Sequence, residues 1–352
     1  MSSDDTYMQR CLQLALLGAG SVAPNPMVGA VLVYDNVIIG EGYHQQYGKA
    51  HAEVNCINSV SEQYKTVIEK STLYVSLEPC AHFGKTPPCA DLIIANKIPR
   101  VVIGCMDNYL EVNGRGIEKL RSAGIEVITG VLEREAVELN RRFFTFHQLL
   151  RPYIILKWAE SKDGKIAKKE YSKVAISSEY CNRLVHKWRS EEAAIMVGTN
   201  TALYDNPSLT TRLWEGNDPV RILLDRNLKI PASHHLLDGK TKTIIFNNSK
   251  SEEGQHIVYS KLVASESIIQ QVLKKLYQLK ILSVLVEGGA KLLQSLIDAG
   301  YWDEARVIVN EQLIIGEGVD GPSLKHQQLL KSENCYSDSI NYYKPCRQRQ
   351  TK

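Results

Sequence analysis

The sequence has no long apolar run and no strong excess of charge of either sign. Its apolar segments, such as residues 281–286, have the length of a strand and fall far short of a membrane span of about 20 residues. The net charge of +3 is too small to indicate a nucleic-acid or membrane surface. The N-terminal residues also lack the basic segment and apolar core of a signal peptide. Together these features predict a cytoplasmic protein that binds neither nucleic acid nor membrane.

Cysteine is sparse as well. The 8 cysteines in 352 residues do not form the dense framework of a disulfide-stapled domain. In a reducing compartment, most of these thiols are expected to be free or to bind a metal. Hydrophobic residues make up 44% and charged residues 23% of the chain, which is the balance of an ordinary globular protein. Because domains commonly hold about 100–200 residues, the length predicts two of them.

Helical and strand patterns alternate along the first half of the chain. The apolar spacing predicts helices at residues 7–17, 51–60, 90–96, 116–123 and 133–149, and strands at 28–33, 37–39, 72–77, 101–104 and 125–128. Such alternation is typical of α/β layers in which helices cover a sheet. Pro152 follows the last helix and cannot continue it, which places a domain boundary near residue 150. The predicted domains are residues 1–150 and 151–352.

The second half repeats the alternation. An apolar helix is predicted at 291–299, and strands are predicted at 153–157, 193–197, 220–224, 243–246, 283–286 and 305–309. The tail after Lys325 is polar and weakly patterned, so its fold is left open. No Gly-x-Gly-x-x-Gly motif follows a strand in this half, so the Rossmann fingerprint is absent.

Three residues with the chemistry of zinc ligands lie in the first half. His51 opens the sequence His-Ala-Glu, Cys80 ends Glu-Pro-Cys, and Cys89 stands at the predicted start of a helix. Hydrolytic zinc sites commonly have three protein ligands and leave the fourth position to water. One imidazole and two thiolates match that number and neutralise the charge of the ion. A helix N-terminus favours the thiolate form of a cysteine placed there.

Glu53 lies two positions after His51, and residues so spaced do not share a face in the middle of a helix. The pair is therefore predicted in the first turn of a helix. A carboxylate beside a zinc site can take a proton from water and pass it to a leaving amine. His-x-Glu followed by Pro-Cys and a second cysteine is the pattern of the zinc deaminases, although the cysteines of that pattern usually lie closer together.

Two other interpretations of these residues stay open at this point. Deaminases of tRNA and DNA bases share the zinc core, but the near-neutral charge and the lack of a basic, aromatic-rich stripe disfavour a nucleic-acid substrate. A zinc-stabilised interaction module would not need Glu53 beside an open metal position. The residues favour a zinc-dependent deaminase.

Two glycine turns in the second half lead toward predicted helices, one at residues 287–290 and one at 197–201. Backbone N–H groups at a helix start can bind phosphate, although an ordinary strand-to-helix turn has the same pattern. Arg221 and Arg226 flank a strand that ends at Asp225. Each arginine could bind a phosphate or be solvated.

Longer stretches resemble the bifunctional deaminase–reductase family of riboflavin biosynthesis. In the first half these are Asn-Pro-Met-Val-Gly-Ala at 25–30, His-Ala-Glu-Val-Asn at 51–55 and the whole of 78–91. In the second half they are Leu-Lys-Trp-Ala at 156–159 with Ser-Lys-Asp-Gly-Lys-Ile-Ala at 161–167, Asp-Asn-Pro-Ser-Leu-Thr-Thr-Arg at 205–212, and Val-Glu-Gly-Gly at 286–289. The resemblance covers nearly the whole chain.

The resemblance implies a cytidine-deaminase-like three-layer α/β/α domain followed by a dihydrofolate-reductase-like α/β domain. The first domain would deaminate a diaminopyrimidinone that carries a ribosylamino phosphate, and the second would reduce its ribosyl group to ribityl with NADPH. The first site would hold one Zn²⁺ on His51, Cys80 and Cys89, with Glu53 as the catalytic residue. Asn25 and Lys85 would bind the substrate.

The resemblance also implies the residues of the reductase site. The sugar phosphate would be bound by Arg189, Leu209, Arg212 and Glu287. NADPH would be bound by Ala159, Thr201, Asp205, Arg226, Gly289, Ala290, Lys291, Leu292, Leu293, Gln294 and Ser295. The implied partner is a small phosphorylated pyrimidine. The resemblance does not determine the oligomeric state, so a homo-oligomer stays open.

Four positions depart from the family pattern. Tyr109 stands where the family has an asparagine that contacts the substrate, and Ala175 stands where it has a tryptophan. Lys173 replaces a serine, and Glu160 replaces a small residue. Ala175 and Glu160 are the features that favour an alternative, a deaminase whose C-terminal domain has no catalytic role.

Overall fold

The computed structural model describes residues 2–81, 83, 87–107, 114–169 and 174–346. Lys85, Tyr109 and Lys173 lie outside this part of the chain. The chain divides into two compact units, Met1–Leu150 and Arg151–Lys352.

The described part of the first unit alternates helices with strands. Its helices are α1 (Ser3–Leu16), α2 (Ala52–Asn58), α3 (Cys89–Ala95), α4 (Arg115–Ser122), α5 (Glu133–Leu139) and α6 (Arg141–Leu149), with a 3₁₀ helix at Glu62–Lys70. Its strands are β1 (Gly29–Tyr34), β2 (Val37–Tyr43), β3 (Thr72–Leu77), β4 (Arg100–Cys105) and β5 (Glu126–Thr129). The strands occur where the apolar spacing predicts them.

These strands form one sheet in the order β2-β1-β3-β4-β5. Strand β1 runs antiparallel to β2 and β3, whereas β3, β4 and β5 are parallel. Asp35 and Asn36 join β1 to β2 with positive φ angles of 48° and 62°, the geometry that a tight hairpin turn requires. The predicted hairpin is confirmed.

Alternate residues of this sheet enter two separate cores, because successive side chains of a strand point to opposite faces. Val31 and Val33 pack with Met8 and Cys11 of α1 on one face. On the other face, the buried residues of the strands pack with α2, α3 and α4, and they are Ala30, Leu32, Leu73, Val75, Val101 and Ile103. The unit therefore has three layers, with helices on both faces of the sheet.

The single helix predicted at residues 133–149 is wrong. It is divided into α5 and α6 at Asn140, whose backbone has φ −100° and ψ 21°. The Asn140 side chain is buried and bonds to both backbone groups of Met27. Local apolar spacing cannot reveal a contact between residues so far apart in the sequence.

The described part of the second unit is also α/β. Its helices are α7 (Glu179–Glu191), α8 (Thr199–Asp205), α9 (Ile268–Gln278) and α10 (Ala290–Asp298), with a 3₁₀ helix at His235–Leu237. Its strands are β6 (Tyr153–Ser161), β7 (Lys165–Lys168), β8 (Ala194–Gly198), β9 (Val220–Leu224), β10 (Thr243–Asn247), β11 (Glu252–Glu253), β12 (Ile257–Lys261), β13 (Ser283–Val286), β14 (Glu304–Asn310), β15 (Gly318–Asp320), β16 (Gln327–Cys335) and β17 (Asp338–Pro345).

A ten-stranded sheet is the centre of this unit, in the order β11-β12-β10-β9-β8-β13-β6-β14-β17-β16. Its interior strands from β10 to β14 are parallel. Ile154 and Leu156 of β6 enter a core shared with α9 and α10, whereas Tyr153 and Ile155 face α7. Buried on both faces, these parallel strands are almost entirely apolar, as expected for helices that cover a parallel sheet.

The tail after Lys325 forms the antiparallel hairpin of β16 and β17 at one edge of the sheet. Along β17, Asp338, Ile340 and Tyr342 are buried while the residues between them are less so. Because one of these three buried residues is an aspartate, the alternation of apolar and polar residues along β17 is too weak to predict the strand from the sequence.

Candidate active sites

His51 and Glu53 stand at the start of α2. His51 is the N-cap residue, with an extended backbone at φ −74° and ψ 169°, and Glu53 lies in the first helical turn. Because the N-cap residue lies outside the regular helix, its side chain need not follow the helical spacing. The structure therefore places the pair in the first turn, as the sequence predicts.

Cys80 and Cys89 meet His51 beside the end of β3. The Nδ1 atom of His51 lies 3.6 Å from Cys80 Sγ and 3.3 Å from Cys89 Sγ, and the three ligand atoms all lie within 4.8 Å of one another. A tetrahedral zinc ion with bonds of about 2.0–2.3 Å holds its nitrogen and sulfur ligands roughly 3.5–3.8 Å apart. The imidazole and the two thiols therefore fit one zinc ion.

The electrostatics of the site favour a thiolate. Hydrogen bonding from the Cys89 thiol, with further help from His51, lowers the pKa of Cys80 to about 4. The hydrogen bond with Cys80, together with burial, raises the pKa of Cys89. The hydrogen bond to Cys80 raises the pKa of His51. A divalent cation would compete for these same lone pairs.

Glu53 is 3% exposed, and this burial raises the pKa of its carboxyl group above the usual value. The negative charge of Cys80 raises that pKa further, whereas the charge of His51 opposes the shift. The carboxyl group is thus close enough to both ligands to feel their charges. A raised pKa suits a group that must accept a proton in one step and donate it in another.

Asn25 is held by a buried histidine. Its Nδ2 atom lies 3.1 Å from Nε2 of His44, and Nδ1 of His44 lies 3.0 Å from the carbonyl oxygen of Ala50. Since that carbonyl only accepts, His44 carries its proton on Nδ1 and its Nε2 accepts from the Asn25 amide. Burial lowers the pKa of His44, which keeps the ring neutral. The His44 contact therefore fixes the orientation of the Asn25 side chain.

Glu78, in the Glu-Pro-Cys sequence, has a role that the motif alone did not reveal. Its buried carboxylate accepts backbone N–H bonds from Asp107, Gly114, Gly116 and Ile117 at 2.9 to 3.3 Å. It therefore anchors Asp107, just after β4, and the start of α4 to the segment that carries Cys80. Gly116 is required there, because a Cβ atom would lie 2.0 Å from the carbonyl oxygen of Pro79.

A cleft of about 1460 Å³ opens in the second unit at the ends of its parallel strands. Ligands commonly bind at this edge of α/β sheets. The residues predicted to bind NADPH, apart from Gln294, line it, and they are Ala159, Thr201, Asp205, Arg226, Gly289, Ala290, Lys291, Leu292, Leu293 and Ser295. Gln294 is turned away and bonds to Asp298 and Ser323 instead.

The glycine turn before α10 forms one wall of this cleft. Gly288 has a φ of 156° and Gly289 has a φ of 48°, angles that residues with side chains rarely adopt. A Cβ atom on Gly288 would also lie 2.9 Å from Oγ1 of Thr201. Glycine thus lets the backbone run close to Thr201 and leaves the N–H groups of the helix start uncovered.

Of the residues predicted to bind the sugar phosphate, only Glu287 lines the cleft. Arg189 is largely buried, with its side chain 11% exposed, and bonds to Glu287 and to the Thr210 carbonyl oxygen, while Arg212 is exposed. Leu209 is 3% exposed and packs in the core, so only its backbone could contact a substrate. Direct contact with the substrate is therefore better supported for Glu287 than for Arg189.

The two arginines beside β9 differ in their surroundings. Arg221 is 1% exposed, and its guanidinium bonds to Asp238 and to the His235 carbonyl oxygen at 2.9 Å each. It is a structural residue. Arg226 is exposed and lines the cleft, where it can meet a phosphate.

Lys157 was missed as a site residue from the sequence. It lines the cleft from β6, where burial lowers the pKa of its amine and the charge of Glu287 opposes that shift. A lysine at the end of the otherwise apolar predicted strand at residues 153–157 was the available signal. Ala175 lines the same cleft, whereas Glu160 bonds to Nε1 of Trp158 at 2.7 Å and does not line it. Glu160, which stands where the family has a small residue, therefore does not obstruct the cleft.

Comparisons with known proteins agree with this geometry. Residues 152–341 match the family model of the RibD C-terminal domain, and residues 1–105 match that of the cytidine and deoxycytidylate deaminase zinc-binding region. The chain is 40% identical to the riboflavin biosynthesis protein RibD of Aquifex aeolicus, over 97% of this chain and 98% of that protein. The chain belongs to the RibD family.

Other RibD proteins are similar over most of their length. The Escherichia coli RibD is 35% identical, over 88% of each chain. The crystal structure of the diaminohydroxyphosphoribosylaminopyrimidine deaminase and 5-amino-6-(5-phosphoribosylamino)uracil reductase of Thermotoga maritima superposes with a TM-score of 0.90 at 38% identity, covering 98% of this chain and 99% of that one. Acinetobacter baumannii RibD superposes with a TM-score of 0.87 at 30% identity, over 97% and 99% of the two chains.

RibD is the bifunctional deaminase and reductase of riboflavin biosynthesis, and this chain contains both domains. The predicted fold class, a cytidine-deaminase-like domain followed by a dihydrofolate-reductase-like one, is confirmed. The RibD family uses Zn²⁺ and NADPH, and the His51, Cys80 and Cys89 group is compatible with zinc. Within the described residues, no helix is both long and apolar enough to span a bilayer.

Proposed function

We propose that residues 1–150 deaminate a diamino-ribosylamino-pyrimidinone phosphate and that residues 151–352 then reduce its ribosyl group to ribityl. The product would be an amino-ribitylamino-uracil phosphate. The observation that carries this proposal is the meeting of His51, Cys80 and Cys89 within 4.8 Å, with the buried Glu53 beside them.

In the deaminase site, His51, Cys80 and Cys89 would hold the zinc ion. A bound zinc ion lowers the pKa of water and so supplies a nucleophile at neutral pH. Glu53 would accept the proton of that water and deliver it to the departing amine, because ammonia leaves readily only after protonation. Asn25, oriented by His44, would hold the pyrimidine ring together with Lys85.

In the reductase site, the backbone around Gly288 and Gly289, beside Thr201, would bind the phosphates of NADPH at the start of α10, and Asp205 also lines the cleft. NADPH supplies the hydride when bound. Arg226 would favour the additional phosphate of NADPH over NADH through a charge-assisted hydrogen bond. Glu287 would contact the sugar, with Arg189 holding its carboxylate in place. The exposed Arg212 and the backbone of Leu209 would bind the phosphate.

We further propose that the protein acts in the cytoplasm on small molecules rather than on nucleic acid or membrane. All eight cysteines are free thiols, and two of them are proposed to serve as thiolate ligands. A reducing compartment preserves such ligands.

One substitution in each site of the full-length chain tests the assignment. Glu53→Gln is expected to lower the rate of deamination by about 10²–10⁴ while reduction of the deaminated intermediate continues. Gly289→Val is expected to weaken NADPH binding, and with it reduction, while deamination continues. Both half-reactions are measured on each variant, the first by ammonia release and the second by NADPH oxidation. Loss of both reactions in either variant, or of neither, would contradict the assignment.

A further inference from the structure

Asn140 pairs with the backbone of the segment that carries Asn25. Its Oδ1 atom accepts from the N–H group of Met27 at 2.8 Å, and its Nδ2 atom donates to the Met27 carbonyl oxygen at 2.9 Å. Asn140 is 2% exposed and stands at the break between α5 and α6. A carboxamide has the donor and acceptor arrangement of a peptide group, so Asn140 acts on Met27 as a neighbouring strand would.

Along residues 25–28, the bonds to Asn140 supply the backbone hydrogen bonds that Met27 would otherwise lack. On one side, the N–H group of Asn25 donates to the Val22 carbonyl oxygen at 2.9 Å, within a local turn. On the other side, the carbonyl oxygen of Val28 accepts from the N–H group of His44 at 2.9 Å, next to β1 and β2. Between these points Pro26 has no N–H group to donate. Met27 is therefore tied to the rest of the unit through Asn140.

We propose that Asn140 is a positioning residue for the deamination reaction, which holds Met27 so that Asn25 faces the pyrimidine substrate. This inference rests on the proposed role of Asn25 in substrate binding. The break between α5 and α6 at Asn140 is consistent with this role. A continuous helix would not place the Asn140 side chain beside the Met27 backbone, whereas the interrupted one does. Asn140 is not itself one of the proposed zinc ligands or substrate-binding residues.

The substitution Asn140→Asp tests this role with almost no change in volume. An aspartate can still accept from the Met27 N–H group, but it sets a second oxygen against the Met27 carbonyl oxygen instead of a donor. One hydrogen bond is lost and a repulsive contact replaces it, so the Asn25 segment should move. Asn96→Asp is the matched control, since Asn96 in the same unit also donates its Nδ2 to a carbonyl, that of Leu92 at 2.8 Å.

The experiment is a double-mutant cycle on the zinc-loaded full-length protein, measured as steady-state deamination. Asn140→Asp is expected to raise KM for the diaminopyrimidinone about tenfold, while kcat stays close to the wild-type value. Asn25→Ala is expected to raise KM as well. If Asn140 acts through Asn25, then Asn140→Asp has no further effect in the Asn25→Ala background. Zinc content and NADPH-dependent reduction should match the wild type in every variant. The control Asn96→Asp should also match the wild type in its KM and kcat for deamination.

Several results would overturn the inference. Effects on KM that multiply in the double mutant would show that Asn140 acts independently of Asn25. An unchanged KM in Asn140→Asp would remove only the positioning role, provided that Asn25→Ala still raises KM. An unchanged KM in Asn25→Ala would instead show that the proposed substrate contact of Asn25 is wrong. Should Asn140→Asp not yield folded protein, Asn140→Ser replaces the carboxamide, and so both of its bonds to Met27, with a shorter hydroxyl and without adding charge. The same criteria apply to it.

Discussion

Arg189 and Glu287 form a two-point ion pair, and Glu287 lines the cleft of the second unit. Nε of Arg189 lies 2.7 Å from Oε1 of Glu287, and Nη2 lies 2.7 Å from Oε2. The side chains are only 11% and 7% exposed. The pair joins α7 to the residue that follows β13, so it couples the helix to the edge of the sheet where the cofactor is proposed to bind.

This ion pair predicts a specific pH dependence of stability. Burial alone would raise the pKa of Glu287, but the charge and hydrogen bonds of Arg189 outweigh it and lower that pKa from 4.5 to about 2. Since the folded pKa lies below the unfolded one, the stabilisation is complete above pH 4.5 and is lost as the pH falls toward 2. Glu287→Gln, which leaves the Arg189 charge buried, should cost on the order of 3 kcal/mol near neutral pH.

The measurement is urea unfolding followed by tryptophan fluorescence. All 4 tryptophans, Trp158, Trp188, Trp214 and Trp302, lie in the second unit, so the signal reports that unit alone. The difference in unfolding free energy between the wild type and Glu287→Gln should shrink as the pH falls below 4.5. Glu253→Gln, at an exposed position, is the matched control. A difference that stayed constant with pH would refute the ion-pair account.

A second prediction concerns the metal. The wild-type chain is expected to hold one zinc ion, and the double substitution Cys80→Ser, Cys89→Ser is expected to remove it, since a hydroxyl is a far weaker zinc ligand than a thiolate. Elemental analysis of the purified proteins measures this directly. Cys346→Ser, which changes an exposed cysteine, serves as the control. Undiminished zinc in the double variant would be incompatible with the proposed ligands.

A third prediction concerns proton transfer. Glu53→Gln should lower the rate of deamination by about 10²–10⁴, because an amide cannot accept the proton of water. Zinc content should be unchanged, and Glu69→Gln, at an exposed position, should behave like the wild type. Near wild-type turnover in Glu53→Gln would mean that another group is the base.

A fourth prediction concerns the cofactor. Gly289→Val should weaken NADPH binding by about tenfold or more, because a β-branched residue is strained at a φ of 48° and covers the N–H groups at the start of α10. Gly300→Val is the matched control, since Gly300 follows the other end of α10 with a φ of 68° and has no atom within 4 Å of its Cβ position. Titration of nucleotide fluorescence measures both. Equal losses in the two variants would indicate general strain rather than loss of a binding surface.

The grouping of His51, Cys80 and Cys89 could be predicted from the sequence, because these residue types occur there in a short, ordered pattern. His51 and Glu53 are close in sequence, and Cys80 and Cys89 stand at the ends of predictable elements. The role of Asn140 could not be predicted, since its partner Met27 lies 113 positions away. Likewise, no local pattern could show that Arg221 bonds to Asp238 whereas Arg226 faces the cleft. Such contacts depend on packing between elements.

The two-reaction account is tested most directly by feeding the purified full-length protein its diaminopyrimidinone phosphate and identifying the products by mass. Without NADPH, the account predicts a product in which an amino group is replaced by oxygen and the ribosyl group is unchanged. With NADPH, it predicts a product that has also gained two hydrogen atoms as the ribityl form. A chain that deaminated the substrate but gave the same product with and without NADPH would contradict it.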